Sequence, residues 1–316
     1  MPELPEVEAL RLGLLKCIVG STVKKVVVLN AKIVSSSGTK RQKDENKKLE
    51  FEKVFLNKKI KSLARRAKNI IIEFETSEII LVHLKMTGQM IFEEKSNSEN
   101  LRVHPLGRLR SRKLEEVDFS KNKKHPNKHA YIIFELDNGS LYYNDIRQFG
   151  YVLYFKNIEE LNDTKHFDKL GLEPFDQDFT LAYFKEGILK KNTSIKKVLL
   201  DQSVVVGCGN IYADEACHAA HILPMRYCKS LKDTEIKNLY KNIISILEKA
   251  IHSGGSSIAN YLLADGERGS YADYHKVYKR ENKNCLKKVG DKNCEGILQK
   301  ITFASRGTHF CSECQK

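Results

Sequence analysis

The period of the apolar pattern divides this chain. At the front, Val7, Leu10, Leu14 and Ile18 recur at helical spacing, behind a Pro5 placed where a first turn would start. Glu6 and Glu8 fall in that turn, where the helix dipole favours anions. Strand-like runs follow at 22–29, 70–75, 79–84, 130–136, 140–143 and 151–155, and Asp137-Asn138-Gly139 supplies hairpin chemistry between two of them. The period then turns helical at 180–189, 195–200, 211–219 and 234–251, with Gly207-Cys208-Gly209 as a tight break. Short strands and turns around cysteines close the chain. The pattern predicts an α+β protein with a helix and a β-rich body over 1–156, a linker over 157–178 and a helical domain over 179–316. Two polar, lysine-rich stretches, 35–48 and 94–128, read as mobile surface insertions.

With 316 residues and 41% hydrophobic content there is enough apolar material for two cores. No apolar run approaches the ~20 residues of a membrane helix, and the charged start MPELPEVEALRLGL does not resemble a secretory signal. No membrane partner is expected. The expected location is intracellular. Lys plus Arg number 54 against 40 Asp plus Glu, a net charge of +14. That excess favours a polyanionic partner, although a lysine-rich composition alone gives a basic protein too.

Of eight cysteines, Cys17, Cys208, Cys217 and Cys228 sit in apolar or helical stretches and read as buried thiols. Cys285, Cys294, Cys311 and Cys314 cluster at the end. In an intracellular protein such clustering suggests a metal rather than disulfides, and four thiolates make a closed, structural zinc site. One Zn2+ is therefore expected, on a finger spanning about 283–316.

Pro2 allows removal of Met1, which would leave a free secondary amine. Such an amine, when unprotonated, attacks an aldehydic carbon to form an iminium ion, and a following helix N-terminus disfavours its protonated form. An isolated Pro-Glu pair would be no more than a helix entry. The full string Pro2-Glu3-Leu4-Pro5-Glu6-Val7-Glu8 resembles the N-terminus of the formamidopyrimidine-DNA glycosylase family. The resemblance continues, in order, through Arg65-Arg66-Ala67-Lys68, His83-Leu84-Lys85-Met86-Thr87-Gly88, Asp145-Ile146-Arg147-Gln148-Phe149-Gly150, Val206-Gly207-Cys208-Gly209-Asn210-Ile211-Tyr212-Ala213 and the cysteine finger.

The resemblance implies a β-sandwich in the first domain and a helix–two-turns–helix module with a zinc β-hairpin in the second. It implies a monomer acting on damaged double-stranded DNA, a bifunctional glycosylase and abasic-site lyase that removes oxidised purines. Pro2 would be the nucleophile, Glu3 the proton-transferring carboxylate, and Lys68 a phosphate contact that supports catalysis. Asn210, Tyr278 and Arg306 would complete the phosphate grip. Met86, Arg147 and Phe149 would fill the void left by an everted nucleotide. Glu6 would line the lesion pocket with Ala264, Gly266, Gly269 and Tyr271, in a stretch similar to the loop that closes over 8-oxoguanine. Glu8 reads only as a helix-dipole partner. The Cys285-x8-Cys294 spacing departs from the usual C-x2-C, so 286–293 is expected to hold an insertion in the first zinc knuckle. Two other readings stay open: the same chemistry on oxidised pyrimidines, and a DNA-damage-binding protein without catalysis.

Overall fold

The computed structural model describes residues 1–34, 36–37, 40–41, 43–95, 125–258 and 260–316. The chain divides into two compact units. One comprises Met1–Pro2, Glu6–His166 and Gly254–Gly269; the other comprises Glu3–Pro5, Phe167–Ser253 and Ser270–Lys316.

The first unit is a β-sandwich with helices. Helix α1 (Leu4–Ile18) enters as expected, and its Val7, Leu10, Leu14 and Ile18 are at most 1% exposed. Each such side chain stabilises the fold by roughly 1.5–3 kcal/mol before ordering entropy is counted. Strands β1 (Val23–Val28), β2 (Ser36–Ser37) and β3 (Lys40–Arg41) follow, then helix α2 (Glu45–Val54), then β4 (Ile60–Arg66), β5 (Asn69–Phe74), β6 (Ile79–His83), β7 (Gly88–Glu94), β8 (Ala130–Leu136), β9 (Gly139–Asp145) and β10 (Tyr151–Phe155), with the short helix α3 (Ile158–Asp163) behind them. One sheet has the order β1-β8-β9-β7 and the other β10-β6-β5-β4, all antiparallel. Alternation along β8 is strict, with every second residue buried. One continuous core joins α1 to both sheets and takes in Tyr261, Leu263 and Ala264 from the later segment.

The stretch 35–48 is not wholly an insertion without structure, because α2 begins inside it. Asp44 caps that helix by accepting from Asn46 N and Lys47 N. Phe51 and Phe55 then reach the core, their rings 5.1 Å apart edge to face. Of the second stretch, residues 96–124 lie outside those described. Cys17 is only half-buried, because it sits at the edge of α1's apolar face, whereas Cys208, Cys217 and Cys228 are fully buried as expected.

The second unit holds helices α4 (Leu181–Leu189), α5 (Ile195–Leu200), α6 (Asn210–Ala219) and α7 (Asp233–His252), a ribbon of β11 (Lys288–Val289) and β12 (Lys292–Asn293), and the hairpin β13 (Leu298–Phe303) and β14 (Arg306–Cys311). Helix α7 buries Ile236, Leu239, Ile243, Leu247 and Ala250 at helical spacing. Asp201, which accepts from Ser203 N at 2.9 Å, and Gln202 tie the α5–α6 connection. Gln202 donates to the carbonyls of Leu200 and Cys208 and accepts from Gly207 N at 2.8 Å.

Among the described residues no helix is long and apolar enough to cross a membrane.

Candidate active site and zinc centre

The catalytic candidates are buried for reasons legible in the backbone. Met1 is 50% exposed and Pro2 is buried. Glu3 is 3% exposed, and its carboxylate accepts from Ile211 N at 3.0 Å at the start of α6. This places an anion at the positive end of a helix. Only glycine leaves room for it: a Cβ on Gly209 would stand 2.3 Å from the Glu3 carboxyl carbon. Gly207 adopts φ +81°, and a Cβ there would meet Leu4. The Gly-Cys-Gly break is thus the seat of the Glu3-Leu4 dipeptide, and Leu4 N donates to Gly207 O at 3.0 Å.

Lys68 stands in the tight turn between β4 and β5 and is only 7% exposed, unusual for a hairpin lysine. The preceding Ala67 has φ 55°. Arg65 braces this turn, donating to Ala67 O at 3.0 Å and through Nε to Glu8 at 2.7 Å. Glu8 also pairs with Arg11, and these two arginines hold its carboxyl below the usual range against the opposing effect of burial. Glu8 is therefore more than a helix-dipole partner: it anchors the turn that carries Lys68.

The expected wedge forms one cluster in the same unit. Met86 and Phe149 are exposed, at 42% and 43%, beside the exposed Ile146. The Arg147 guanidinium lies 4.5 Å from the Phe149 ring centroid. Fully buried Asp145 organises this turn. It accepts from Arg147 N, from Gly150 N at 2.7 Å and from the Thr87 hydroxyl, while Thr87 Oγ1 itself accepts from Arg147 N at 3.0 Å. Those bonds join the loop of Met86 to the loop of Phe149.

The lesion-pocket candidates divide between the units. In the first, Glu6 is 1% exposed and accepts from Ser256 N at 2.7 Å, and Gly255 leaves it room. Ala264 is packed in the core against Gly13, and its carbonyl accepts from Phe92 N at 2.7 Å. Gly266 has φ +80° in a turn closed by Leu263 N donating to Glu267 O, and Gly269 N donates to Ser257 Oγ at 2.8 Å. Tyr271 belongs to the second unit and packs on Tyr212, ring centroids 5.9 Å apart.

Asn210, Tyr278 and Arg306 come together in the second unit. Asn210 donates to Gly307 O at 2.9 Å, next to Arg306. Tyr278 lies over His309, ring centroids 4.7 Å apart, and burial raises its phenol while the Asn210 side chain opposes the shift. Arg306 opens β14 after a turn in which Ala304 and Ser305 both have positive φ, 52° and 58°. Hairpins of this type normally use Asn or Gly there.

Two adjacent acids on α6, which the sequence pattern did not single out, fix these arms. Asp214, fully buried, takes 2.6 Å from Lys196 Nζ and 2.9 Å from His309 N. Lys196, also fully buried, donates further to Thr308 Oγ1 at 2.7 Å and to Gly307 O at 3.2 Å. Glu215 accepts from Lys276 N, Val277 N and Tyr278 N at 2.9, 2.9 and 2.8 Å. Burial raises its carboxyl although those three donors oppose the shift.

The four terminal cysteines form the metal centre. Their sulfurs all lie within 4.8 Å of one another. The Cys285–Cys314 and Cys294–Cys311 separations are both 3.7 Å. A tetrahedron with Zn–S bonds of about 2.3 Å has edges of about 3.8 Å, so the set fits one structural zinc ion. Cys285 belongs to the set despite its long spacing, because β11 and β12 fold the extra residues into a ribbon that returns the chain to Cys294.

A helix, a β-sandwich, a helix–two-turns–helix module and a zinc hairpin together define a class, the zinc-bearing DNA glycosylases of base excision repair. Models of the formamidopyrimidine-DNA glycosylase N-terminal domain and of its H2TH domain match residues 1–152 and 170–261. Formamidopyrimidine-DNA glycosylases of Cytobacillus firmus and Bacillus cereus are 36% and 34% identical to this chain, covering all of it and 100% and 99% of their own lengths. A Lactococcus lactis enzyme of this name, solved with DNA containing an abasic site, superposes with TM-score 0.79 at 30% identity over 99% of both chains. A point mutant of that enzyme, bound to Fapy-dG DNA, also gives 0.79 at 30% identity, over 100% of both. The chain belongs to the formamidopyrimidine-DNA glycosylase family.

Proposed function

We propose that this chain excises oxidised purines from duplex DNA and cuts the strand, using the amine of Pro2 after removal of Met1. The amine lone pair attacks C1′ of the damaged nucleotide as the bond to the base breaks, and the base leaves with those electrons. The resulting Schiff base withdraws electrons from the sugar, so β- and then δ-elimination release the two flanking phosphates. Glu3 delivers the proton that opens the sugar ring. Lys68, Asn210, Tyr278 and Arg306 grip the phosphate, and Met86, Arg147 and Phe149 enter the vacated stack. Arg147 offers two parallel donors to the base opposite, as suits cytosine. Glu6 lines the lesion pocket, with Ala264, Gly266, Gly269 and Tyr271 on the loop that closes over the lesion.

The observation that carries this reading is the seat of Glu3: a buried carboxylate held on a helix N-terminus, with glycine at the one position where a side chain would displace it. Borohydride trapping on abasic DNA tests it. The native chain should give a covalent adduct, and Pro2→Gly should lose most base excision. N-terminal mass measurement belongs to the same experiment. A chain that keeps Met1 yet cuts DNA at the full rate would refute the amine mechanism. A panel of duplexes carrying 8-oxoguanine, formamidopyrimidines and oxidised pyrimidines tests the preference for purines.

A further inference from the structure

A fifth metal-ligating side chain lies against the zinc cluster without belonging to it. His218, on the last turn of α6, is 2% exposed. Its Nε2 is 3.3 Å from Cys285 Sγ and 4.0 Å from Cys314 Sγ. The four cysteine sulfurs already fill a tetrahedron, so the imidazole stands outside one edge of it.

The long first knuckle explains how the two meet. Lys287, within the extra residues, reaches back over the end of α6 and donates to the carbonyls of His218 at 2.7 Å and Ala219 at 2.5 Å. A cation on the last carbonyls of a helix satisfies orphan acceptors and complements the dipole. Cys285 N donates to Gly296 O at 2.8 Å and Cys294 N to Lys287 O at 2.7 Å, closing the knuckle around that anchor. The extra residues are thereby docked on α6, and Cys285 is brought to the imidazole.

We infer that His218 is an outer positioning residue of the zinc centre, its Nε2–H donating a hydrogen bond to the Cys285 thiolate. Four thiolates on one divalent ion carry a net charge of −2, and in a buried site each needs stabilisation. A donor on the sulfur spreads that charge and fixes the Cys285 rotamer. It also makes the sulfur harder to protonate and detach, the first step of zinc loss. The Cys285 arm, the one attached to the lengthened knuckle, is the arm that His218 secures.

The test uses the full-length, zinc-loaded protein at one fixed pH, with excess chromogenic chelator and release followed by absorbance. His218→Phe keeps an aromatic of similar volume without a donor, and His218→Gln supplies an amide N–H of comparable reach. Loss of an outer partner typically costs about 10–100-fold in metal affinity. His218→Phe should therefore release zinc at least about tenfold faster than the native chain, with His218→Gln in between. In Co2+-loaded samples the thiolate charge-transfer band should keep four-sulfur intensity in all three proteins. Equal release from His218→Phe and the native chain overturns the inference, as does equally fast release from both variants, which would mean packing rather than donation. Should His218→Phe fail to fold, His218→Gln decides alone: release less than about tenfold faster than native supports donation, and release about tenfold or more faster refutes it. Neither result touches the amine chemistry, which is read by trapping.

Discussion

Replacing Lys196 by methionine removes one half of an ion pair in which both side chains are fully buried. Asp214 would keep its bond from His309 N and its 3.2 Å contact with His309 Nδ1 but lose the Lys196 ammonium, and Thr308 Oγ1 and Gly307 O would lose a donor. Breaking one partner of a buried pair costs about 3–5 kcal/mol, because the remaining charge is left desolvated. In a unit of this size each 1 kcal/mol moves the midpoint by about 2–4 °C, so the expected fall in Tm is roughly 6–20 °C. Neutralising both partners in Lys196→Met/Asp214→Asn should recover part of the loss, since an asparagine oxygen still accepts from His309 N while no charge stays buried. The assay is denaturant or thermal unfolding of the zinc-loaded chain, with the two single variants and the double variant forming a cycle. The DNA affinity of Lys196→Met should fall at a temperature where it is still folded, because the lost bonds tie Gly307 and Thr308 beside Arg306. A midpoint within about 2 °C of native for Lys196→Met, or purely additive effects in the cycle, would refute this account of the pair.

Phe149→Ala should leave the melting temperature nearly unchanged, as an exposed side chain, yet weaken binding to lesion duplex by about 1–3 kcal/mol, roughly 5- to 150-fold, in a titration. Arg306→Ala should reduce the slope of log K against log salt by about 0.9, the contribution of one phosphate contact, and an unchanged slope would place Arg306 off the backbone. Buried His275 has its pKa pushed down to about 4, chiefly by burial, against an opposing bond from the backbone of Tyr278. The unfolded chain takes up that proton near pH 6.5, so the stability it contributes is complete above about 6.5 and is lost as pH falls towards about 4. His275→Gln should flatten the decline of unfolding free energy between those values by about one proton. Glu8→Gln removes the shared partner of Arg11 and Arg65, so it should lower Tm and, by loosening the Lys68 turn, slow single-turnover excision measured well below the melting point; an unchanged excision rate would refute the brace.

What the sequence disclosed was whatever local chemistry determines alone. Helices 195–200 and 180–189 carry regular apolar spacing and came out within a residue of their observed bounds, as did β8 and β10. The strand β4 escaped notice because its IKSLARR alternates poorly and ends in two arginines, one of which serves the Glu8 brace. Helix α2 escaped because most of its residues are polar or charged, and it is fixed by two phenylalanines near its end that only the tertiary core explains. At the site, the four cysteines were legible from their clustering, and Pro2, Glu3 and Lys68 were assigned from motif order. Lys196, Asp214 and Glu215 were not. A buried lysine inside IKKVLL looks like any solvated charge, and the two acids on α6 acquire meaning from that lysine on α5 and from backbone more than sixty residues further along.

Asp214 and Glu215 are consecutive, yet one holds the strand after Arg306 and the other the loop ending in Tyr278. A tilt of α6 by a few degrees would therefore carry both arms in step, keeping their mutual spacing while changing their aim. The backbone of a DNA strand presents phosphates at a fixed pitch, so, on the proposed phosphate contacts of Tyr278 and Arg306, a gauge whose two jaws share one mount would stay calibrated even when the mount moves.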